Sequence, residues 1–320
     1  MSQHWAQMKE AGFLSGLRAM VMVYQFLGRM IFNIVLIPVM TYFYIRRSEA
    51  RQASFEFLSK VRRRYPNSLS KRPLAWLSFL HFISFGQSLL DKFIAWGPNP
   101  PEISMDPVEE QMLYKLVNSG KGVMIIGSHF GNIEYARGIS LRHPDLIINV
   151  LMYDQHSEKF SELLRNARND TSMNIIQVTT IDLELALTLK QRVARGEWVV
   201  IAGDRVPVSN DSRVCQTQFF GEPANFPVGP YVLANLLGCP VYLMHCYRLS
   251  DNYHVNVELF SEYFQTSRNH RQSDYEVGGQ RFADSLENYV SHYPLQWYNF
   301  FDFWNDLNQQ GAQKEQPDPL

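Results

Sequence analysis

Residues 122–134 read GVMIIGSHFGNIE, a short apolar run that ends in glycine and leads into a polar loop. Five further apolar runs follow, at 146–153, 174–178, 197–203, 240–249 and 253–260. The first four runs alternate with helical stretches, which is typical of a mainly parallel sheet covered on both faces. The last two runs are close enough to pair as a hairpin. The sequence therefore predicts an α/β fold with a mixed, mostly parallel sheet flanked by helices.

The helices are predicted from capping signals and apolar periodicity. Asp106 and Pro107 are typical of a helix start, with an acidic cap and proline at the first helical position. The predicted helices lie at 48–65, 73–93, 106–120, from Asn132 onward, at 157–169 and at 182–195. A proline-rich loop at 97–102 suggests a border. The chain is divided into an N-terminal membrane anchor or interfacial helix (1–47), a helical basic linker region (48–105), an α/β domain (106–305) and a polar tail (306–320).

Charge and cysteine content limit the class of protein. Net charge is −1, but residues 1–72 hold 12 Lys and Arg against 3 acidic residues, which leaves 18 basic and 28 acidic residues in the remainder. A basic N-terminal segment on an acidic body indicates attraction to an anionic surface. The apolar residues within the same segment favour a membrane over nucleic acid. The three cysteines, an odd number without C-x-x-C spacing, favour neither disulfides nor a zinc site. We expect no metal and no cofactor.

The apolar segment 20–45 approaches the length of a membrane-spanning helix and ends in a cluster of aromatic residues. Gln25, Arg29 and Asn33 mark one polar stripe along it, which also suits a helix lying in the interface or packed on the body. Three alternatives stay open: a spanning helix, an interfacial helix and a buried helix of a soluble protein. If the helix spans, the basic residues that follow it place the C-terminal body in the cytoplasm.

Two polar loops follow predicted strands. Residues 127–134 (GSHFGNIE) come after the first strand, and residues 203–207 (GDRVP) come after the fourth. Ligands of open α/β sheets bind beyond the carboxyl ends of the strands, so the two loops are expected to meet there.

The first loop contains a candidate general base. Histidine has the unperturbed pKa nearest neutrality, so His129 can take a proton from a hydroxyl group. Glu134 would lie in the first turn of the next helix, and Gly131 would let the chain fold back so that its carboxylate holds His129. The alternative is that His129 merely ends a strand and that Glu134 is an ordinary first-turn acid.

The ensemble of motifs resembles the late acyltransferases of lipid A biosynthesis, within the lysophospholipid acyltransferase superfamily, and also their relatives in aryl polyene and flexirubin pathways. The residues that carry the resemblance are the apolar, then basic N-terminal segment, 127–134, 203–207, Phe219-Phe220-Gly221, 226–241 and the stretch QWYNFFDFW at 296–304. The resemblance implies that His129 and Glu134 form the catalytic H-x-x-x-x-D/E motif. It also implies direct transfer of an acyl group from acyl carrier protein or coenzyme A to a hydroxyl of a lipid or glycolipid, at the bacterial inner membrane.

The same resemblance suggests substrate-binding residues. The amides of Gly131 and Asn132 are the first choice as oxyanion donors. Asp204 and Arg205 would line the opposite wall, with Arg205 binding phosphate, or they form a salt-bridged turn. The remaining candidates are Phe219, Phe220 and Gly221, which shape an acyl or acceptor channel or belong to the core, and Arg165 and Arg168, which contact phosphate or carrier or form a solvated helix face.

Two other functions compete with acyl transfer. One is a non-catalytic membrane scaffold that binds acyl carrier protein or lipid. The other is a membrane-bound thioesterase-type hydrolase in which His129 activates water. No G-x-S-x-G elbow, Walker loop, G-x-G-x-x-G turn or H-E-x-x-H motif occurs in the sequence.

Overall fold

The structure, a computed structural model, describes residues 13–96, 103–143, 145–152, 173–178, 182–206, 213–250 and 252–304. Within these ranges the strands are β1 (Ile103–Ser104), β2 (Met124–Gly127), β3 (Ile148–Met152), β4 (Met173–Gln177), β5 (Trp198–Ala202), β6 (Val214–Phe219), β7 (Glu222–Pro227), β8 (Val241–Leu249) and β9 (Asn252–Ser261). Seven of these described strands form one sheet in the order β1-β9-β8-β2-β5-β3-β4, and β6 pairs with β7 apart from it.

The main sheet is mixed and mostly parallel, as predicted. β2 lies at its centre and pairs in parallel with β5 and β8, and the β3 pairs with β4 and β5 are parallel too. β8 and β9 form the predicted antiparallel hairpin. Successive residues of β2 enter opposite cores, since Met124 and Ile126 belong to one buried cluster and Ile125 to the other. Burial on both faces explains why this strand is apolar at every position.

The described helices are α1 (Phe13–Arg46), α2 (Ser48–Arg64), α3 (Leu74–Trp96), α4 (Pro107–Asn118), α5 (Arg137–Arg142), α6 (Leu183–Ala194), α7 (Gly229–Leu237) and α8 (Arg271–His292). The side chain of Asp106 accepts the Val108 amide, so the cap predicted there is confirmed. The side chain of Asp182 accepts the Leu185 amide and caps the helix that was predicted to start at this residue. The helix predicted from Asn132 is shorter than expected: a 3₁₀ turn at Ile133–Ala136 precedes α5. The helix predicted at 157–169 lies outside the described residues.

The β6–β7 hairpin was not predicted, and it turns at Phe220 and Gly221. Both residues have positive φ, 52° and 76°, as a two-residue hairpin turn of the primed type requires. The strain of this conformation at Phe220 is offset by burial of its ring, which packs edge-on against Phe57 and Tyr65 with centroids 5.9 Å apart. Its amide also donates to the carboxylate of Glu287.

Helix α3 is sandwiched between α1 and the α/β body. On one side it runs antiparallel to α1, with Tyr44 of α1 against Phe82 of α3 (centroids 5.2 Å apart) near one end and the ion pair Arg29–Asp91 near the other. The same Asp91 carboxylate accepts a 2.9 Å hydrogen bond from Tyr253 of β9, which joins α3 to the main sheet. Helix α1 over residues 19–46 is long and apolar enough, by length and composition, to cross a membrane.

Candidate functional site

The two loops singled out in the sequence lie side by side at the carboxyl ends of β2 and β5. β2 ends at Gly127, and the amide of Gly203, just after β5, donates to the Gly127 carbonyl over 2.8 Å. This bond continues the strand pairing beyond the sheet. It brings His129 next to Asp204, although 75 positions separate them in the chain.

Asp204 is the residue that holds His129. Its Oδ1 lies 2.8 Å from Nδ1 of the imidazole, and its Oδ2 accepts the His129 backbone amide, also over 2.8 Å. A carboxylate only accepts hydrogen bonds, so Nδ1 carries the proton and Nε2 presents a lone pair. The Asp204 side chain is 1% exposed, whereas that of His129 is 36% exposed. The buried carboxylate therefore fixes the imidazole through Nδ1, while the ring itself stays partly exposed to solvent.

The electrostatics of this pair favour an ionised aspartate beside a neutral histidine. Burial alone would raise the pKa of Asp204, but the charge and hydrogen bonds of His129 and the charge of Arg205 outweigh it and hold that pKa at about 2. The pKa of His129 is lowered, mainly by burial and by the positive charge of Arg205, and the attraction of Asp204 compensates only in part. At neutral pH the histidine is unprotonated at Nε2 and able to accept a proton.

Glu134 does not contact His129, contrary to our expectation. Its Oε1 forms an ion pair with Nζ of Lys92 on α3, over 2.8 Å. The reason is the path of the loop: the amide of Asn132 bonds to the carbonyl of Cys246 in β8, and the 3₁₀ turn that follows directs Glu134 toward α3. Nδ1 of His129 is already taken by Asp204.

The backbone amides proposed as oxyanion donors are also occupied. The Gly131 amide donates to the carbonyl of Gln296, and the Asn132 amide to that of Cys246, each over 2.7 Å. Gly131 has a φ of 66°, and a Cβ built on it would lie 2.0 Å from the Cys246 carbonyl oxygen. Only glycine fits here, and its function is to let the loop lie against β8.

The sequence analysis missed the role of Trp297. Its indole Nε1 donates to Oδ2 of Asp204 over 3.1 Å, and it is 1% exposed. The backbone around it runs beside the histidine loop, where Trp297 bridges to Phe130 and the Tyr298 amide reaches the His129 carbonyl. The signal was present in QWYNFFDFW, but sequence reasoning gave that segment no role at the site.

A buried histidine supports the tryptophan. Nε2 of His81 on α3 lies 3.0 Å from the Trp297 carbonyl oxygen, and its Nδ1 lies 3.0 Å from the Ser54 hydroxyl on α2. Burial lowers the pKa of His81 to about 3. It is therefore a neutral structural histidine that donates to Trp297 and accepts from Ser54.

The other candidate residues are distributed around this pair. Arg205 donates to the Tyr298 carbonyl over 3.2 Å and lies over the Phe301 ring. Phe219 and Phe220 are buried, and Phe219 packs 5.2 Å from the Trp297 ring, so both form the core behind the site. Arg165 and Arg168 lie outside the described residues. Among the residues that the structure describes, no group of three His, Cys, Asp or Glu side chains is placed to hold a metal ion.

The fold and the site define an α/β protein in which a buried carboxylate holds an accessible histidine. Residues 80–305, more than half of the chain, match the family of bacterial lipid A biosynthesis acyltransferases. The chain belongs to this family and is an acyltransferase, as the resemblance in its motifs suggested. The family implies an acyl donor and a lipid acceptor in general. A comparison with curated proteins finds no match.

Trp297→Phe should destabilise the protein through Asp204. The variant keeps an aromatic ring in the core but removes one donor to a buried carboxylate, a bond worth about 1.5–3 kcal/mol. Trp198→Phe is the control, because Trp198 is also 1% exposed but belongs to the other core cluster. The pKa of Asp204 is depressed to about 2 in the folded protein, so the free energy that its ionised form adds to folding is complete above the unfolded pKa of about 4. That contribution is lost as the pH falls toward 2. Equal losses for both variants in urea unfolding at pH 7 would contradict the hydrogen bond.

Gly131→Ala should unfold the site loop. Alanine would be strained at positive φ and would clash with β8, for a loss above about 2 kcal/mol in the free energy of unfolding. Gly138→Ala is the matched control, since the nearest atom to a Cβ there is an Ile103 side-chain carbon at 3.6 Å. In helix α5 that change should be neutral or stabilise by up to about 1 kcal/mol. If urea midpoints of the two variants coincide, the close approach of the loop to β8 is refuted.

Proposed function

We propose that the protein transfers a fatty acyl group from an acyl thioester, on acyl carrier protein or coenzyme A, to a hydroxyl group of a lipid or glycolipid. The reaction takes place at the cytoplasmic face of the bacterial inner membrane, with His129 as general base. The observation that carries the proposal is the hydrogen bond between Nδ1 of His129 and the buried Asp204, 2.8 Å long, which leaves Nε2 with its lone pair on the exposed side of the ring. The apolar helix and the family together indicate membrane association.

The chemistry is a direct transfer. Nε2 of His129 accepts the hydroxyl proton while the hydroxyl oxygen bonds to the thioester carbonyl carbon. The C–S bond then breaks, the ester is formed, and the leaving thiolate takes the proton from Nε2. Asp204 stays ionised throughout and stabilises the imidazolium that forms between the two proton transfers.

The described residues offer no good protein nucleophile, which favours direct transfer over an acyl-enzyme. Ser128, beside the histidine, is 5% exposed and its hydroxyl accepts the Phe130 amide. All three cysteines are buried, and burial raises the pKa of Cys215 to about 12 and that of Cys239 to about 11. Burial also raises the pKa of Cys246. Thiols of this kind carry almost no thiolate at neutral pH.

Glu134 is proposed to act on His129 through Lys92. The positive charge of Lys92 contributes to the lowered pKa of His129, and the carboxylate of Glu134 neutralises it from 2.8 Å away. Arg205, whose positive charge also acts on His129, is proposed to bind a phosphate of donor or acceptor. Gly131 and Asn132 shape the loop rather than supply amides.

Variants at the two acids should separate their roles. Asp204→Asn removes the carboxylate that orients the imidazole and stabilises its protonated form. As for His129→Ala, kcat should fall by about 10²- to 10⁴-fold. Glu134→Gln disturbs a partly exposed ion pair, and kcat should fall by less than about five-fold. The assay follows radiolabelled acyl groups from acyl carrier protein or coenzyme A into lipid extracts of membranes that hold each variant. A larger loss for Glu134→Gln than for Asp204→Asn would restore Glu134 as the direct partner of His129.

The same assay separates the competing functions. Label that enters a lipid only when His129 is intact supports acyl transfer, and the mass of that lipid identifies the acceptor. Label released as free fatty acid would favour the thioesterase, and equal activity with His129→Ala would favour the scaffold.

The pH profile tests the electrostatics. Since the pKa of His129 is lowered from 6.5, the acid limb of kcat/KM should lie below pH 6.5. Arg205 depresses that pKa, so Arg205→Gln should raise it and move the acid limb to higher pH, with activity lost earlier on acidification. Arg271→Gln, at the exposed start of α8, is the control that should leave the limb in place. A limb that Arg205→Gln shifts downward or not at all would contradict the assignment of His129 as the titrating base.

A further inference from the structure

Helix α1 is broken, although its composition suits a single membrane-spanning helix. Gly28 has φ 77° and ψ 178°, which is not helical, and it divides α1 into an N-terminal piece, 13–27, and a C-terminal piece, 29–46. The pieces hold about 15 and about 18 residues, whereas a crossing helix needs about 20 continuous apolar residues. A straight helix through the bilayer is therefore not what this backbone forms.

The C-terminal piece runs beside the body for most of its length. It contacts α3 from Tyr44, against Phe82, to Arg29, which pairs with Asp91. From Arg29 to Tyr44 the helix rises by about 22 Å. The opposite side of α3 is bound to the body, since His81 contacts the Trp297 carbonyl and Lys92 pairs with Glu134. A helix with a polar domain alongside it over this distance cannot stand upright in a bilayer of about 30 Å.

Two polar residues of the C-terminal piece, Arg29 and Asn33, bind α3. Arg29 binds Asp91, whose side chain is 1% exposed, and Asp91 also accepts the hydroxyl of Tyr253 from β9. Oδ1 of Asn33 accepts an amide hydrogen of Gln87 over 3.2 Å. Two members of the stripe seen in the sequence, Arg29 and Asn33, thus bind α1 to the body, and the charge pair with Asp91 ties α1 to the main sheet. The third member, Gln25, is exposed in the N-terminal piece.

The outer face of α1 is apolar and exposed. Its large residues are Met22, Phe26, Leu27, Met30, Ile34, Ile37, Tyr42 and Ile45, all at least 50% exposed. Contiguous apolar surface of this kind marks an interaction site. At its C-terminal end stands a rim of exposed basic and aromatic residues: Arg46, Arg47, Lys71, Arg72 and Trp76. The Tyr44 hydroxyl bonds to the Ala75 carbonyl over 3.0 Å, which places the start of α3 beside the end of α1.

We propose that α1 lies in the plane of the membrane, with its outer face inserted in one leaflet of an anionic phospholipid bilayer and its basic rim on the headgroups. Exposed tryptophan and tyrosine prefer the headgroup level, and the rim supplies positive charge to match anionic lipid. Helix α1 does not cross the bilayer, so its N-terminal piece and the catalytic body are on the same side. This seating of α1 is independent of the reaction proposed above.

The test is a depth measurement by spin labelling. The full-length variants Met30→Cys, Ile37→Cys and Ile45→Cys are labelled with a nitroxide, reconstituted in vesicles of phosphatidylethanolamine and phosphatidylglycerol, and probed by oxygen and nickel accessibility. The unsubstituted protein, whose three cysteines are buried, gives the background. Gln52→Cys, exposed on α2, is the aqueous reference.

In-plane seating predicts that the three labels on α1 favour oxygen over nickel at one common, shallow depth. A crossing helix would spread them over a depth of about 22 Å, from Met30 to Ile45, and that result would overturn the proposal. Labels as accessible to nickel as Gln52→Cys would overturn it as well, because the outer face would then not meet lipid.

Cysteine accessibility gives a second, independent result. Gly16→Cys, on the exposed start of the N-terminal piece, and Gln52→Cys are treated with a membrane-impermeant maleimide in inverted and right-side-out vesicles. Gly16→Cys should never react from the side opposite to Gln52→Cys. Reaction from opposite sides shows that α1 crosses the membrane.

Discussion

The structure around the site depends on the buried charge of Asp204. A carboxylate at 1% exposure is tolerated only when donors replace the water it has lost. Asp204 receives three: the imidazole and the backbone amide of His129, and the indole of Trp297. These donors come from the loop after β2 and from the segment that follows α8. One side chain therefore fixes the two loops and the C-terminal segment in a single arrangement, and the same contacts set the tautomer of the histidine.

This dependence extends to the N-terminal helices. Trp297 is held at its carbonyl by His81 of α3, and His81 is held in turn by Ser54 of α2. The chain of hydrogen bonds runs from a pair of helices outside the main sheet, through a neutral buried histidine, to the carboxylate that holds His129. Because His81 has its pKa lowered to about 3, this chain keeps one protonation state over the whole physiological pH range. The hydrogen bond that His81 makes to Trp297, and through Trp297 to Asp204, therefore does not change with pH in this range.

The sequence predicted the fold well where both faces of a strand are covered, because burial of β2, β3 and β5 leaves continuous apolar runs. The prediction from sequence failed where contacts between distant elements determine the structure. Helix α8 was not predicted because Gly278 and Gly279 interrupt its pattern, yet a Cβ at Gly279 would lie 2.7 Å from the Cβ of Cys215. Gly279 lets α8 approach β6 closely. Such a requirement is visible only when the two elements have been placed together.

At the site, too, local sequence predicted one part, and contacts between distant segments determined the other. His129 was predicted from its loop, but its partner was sought five positions along the chain, at Glu134. The pairing of β2 with β5 places Asp204 within hydrogen-bond distance of His129. The loop that turns at Gly131, where φ is positive, directs Glu134 toward Lys92 of α3 instead. Helix α3 consequently touches the site on one side, through Lys92, and carries α1 on the other. With helices packed about 8–10 Å apart, a lipid inserted beside the outer face of α1 lies only two helix layers from the histidine. An acceptor lipid held in that leaflet therefore has to bring its hydroxyl past these two helix layers, about 16–20 Å, to meet His129.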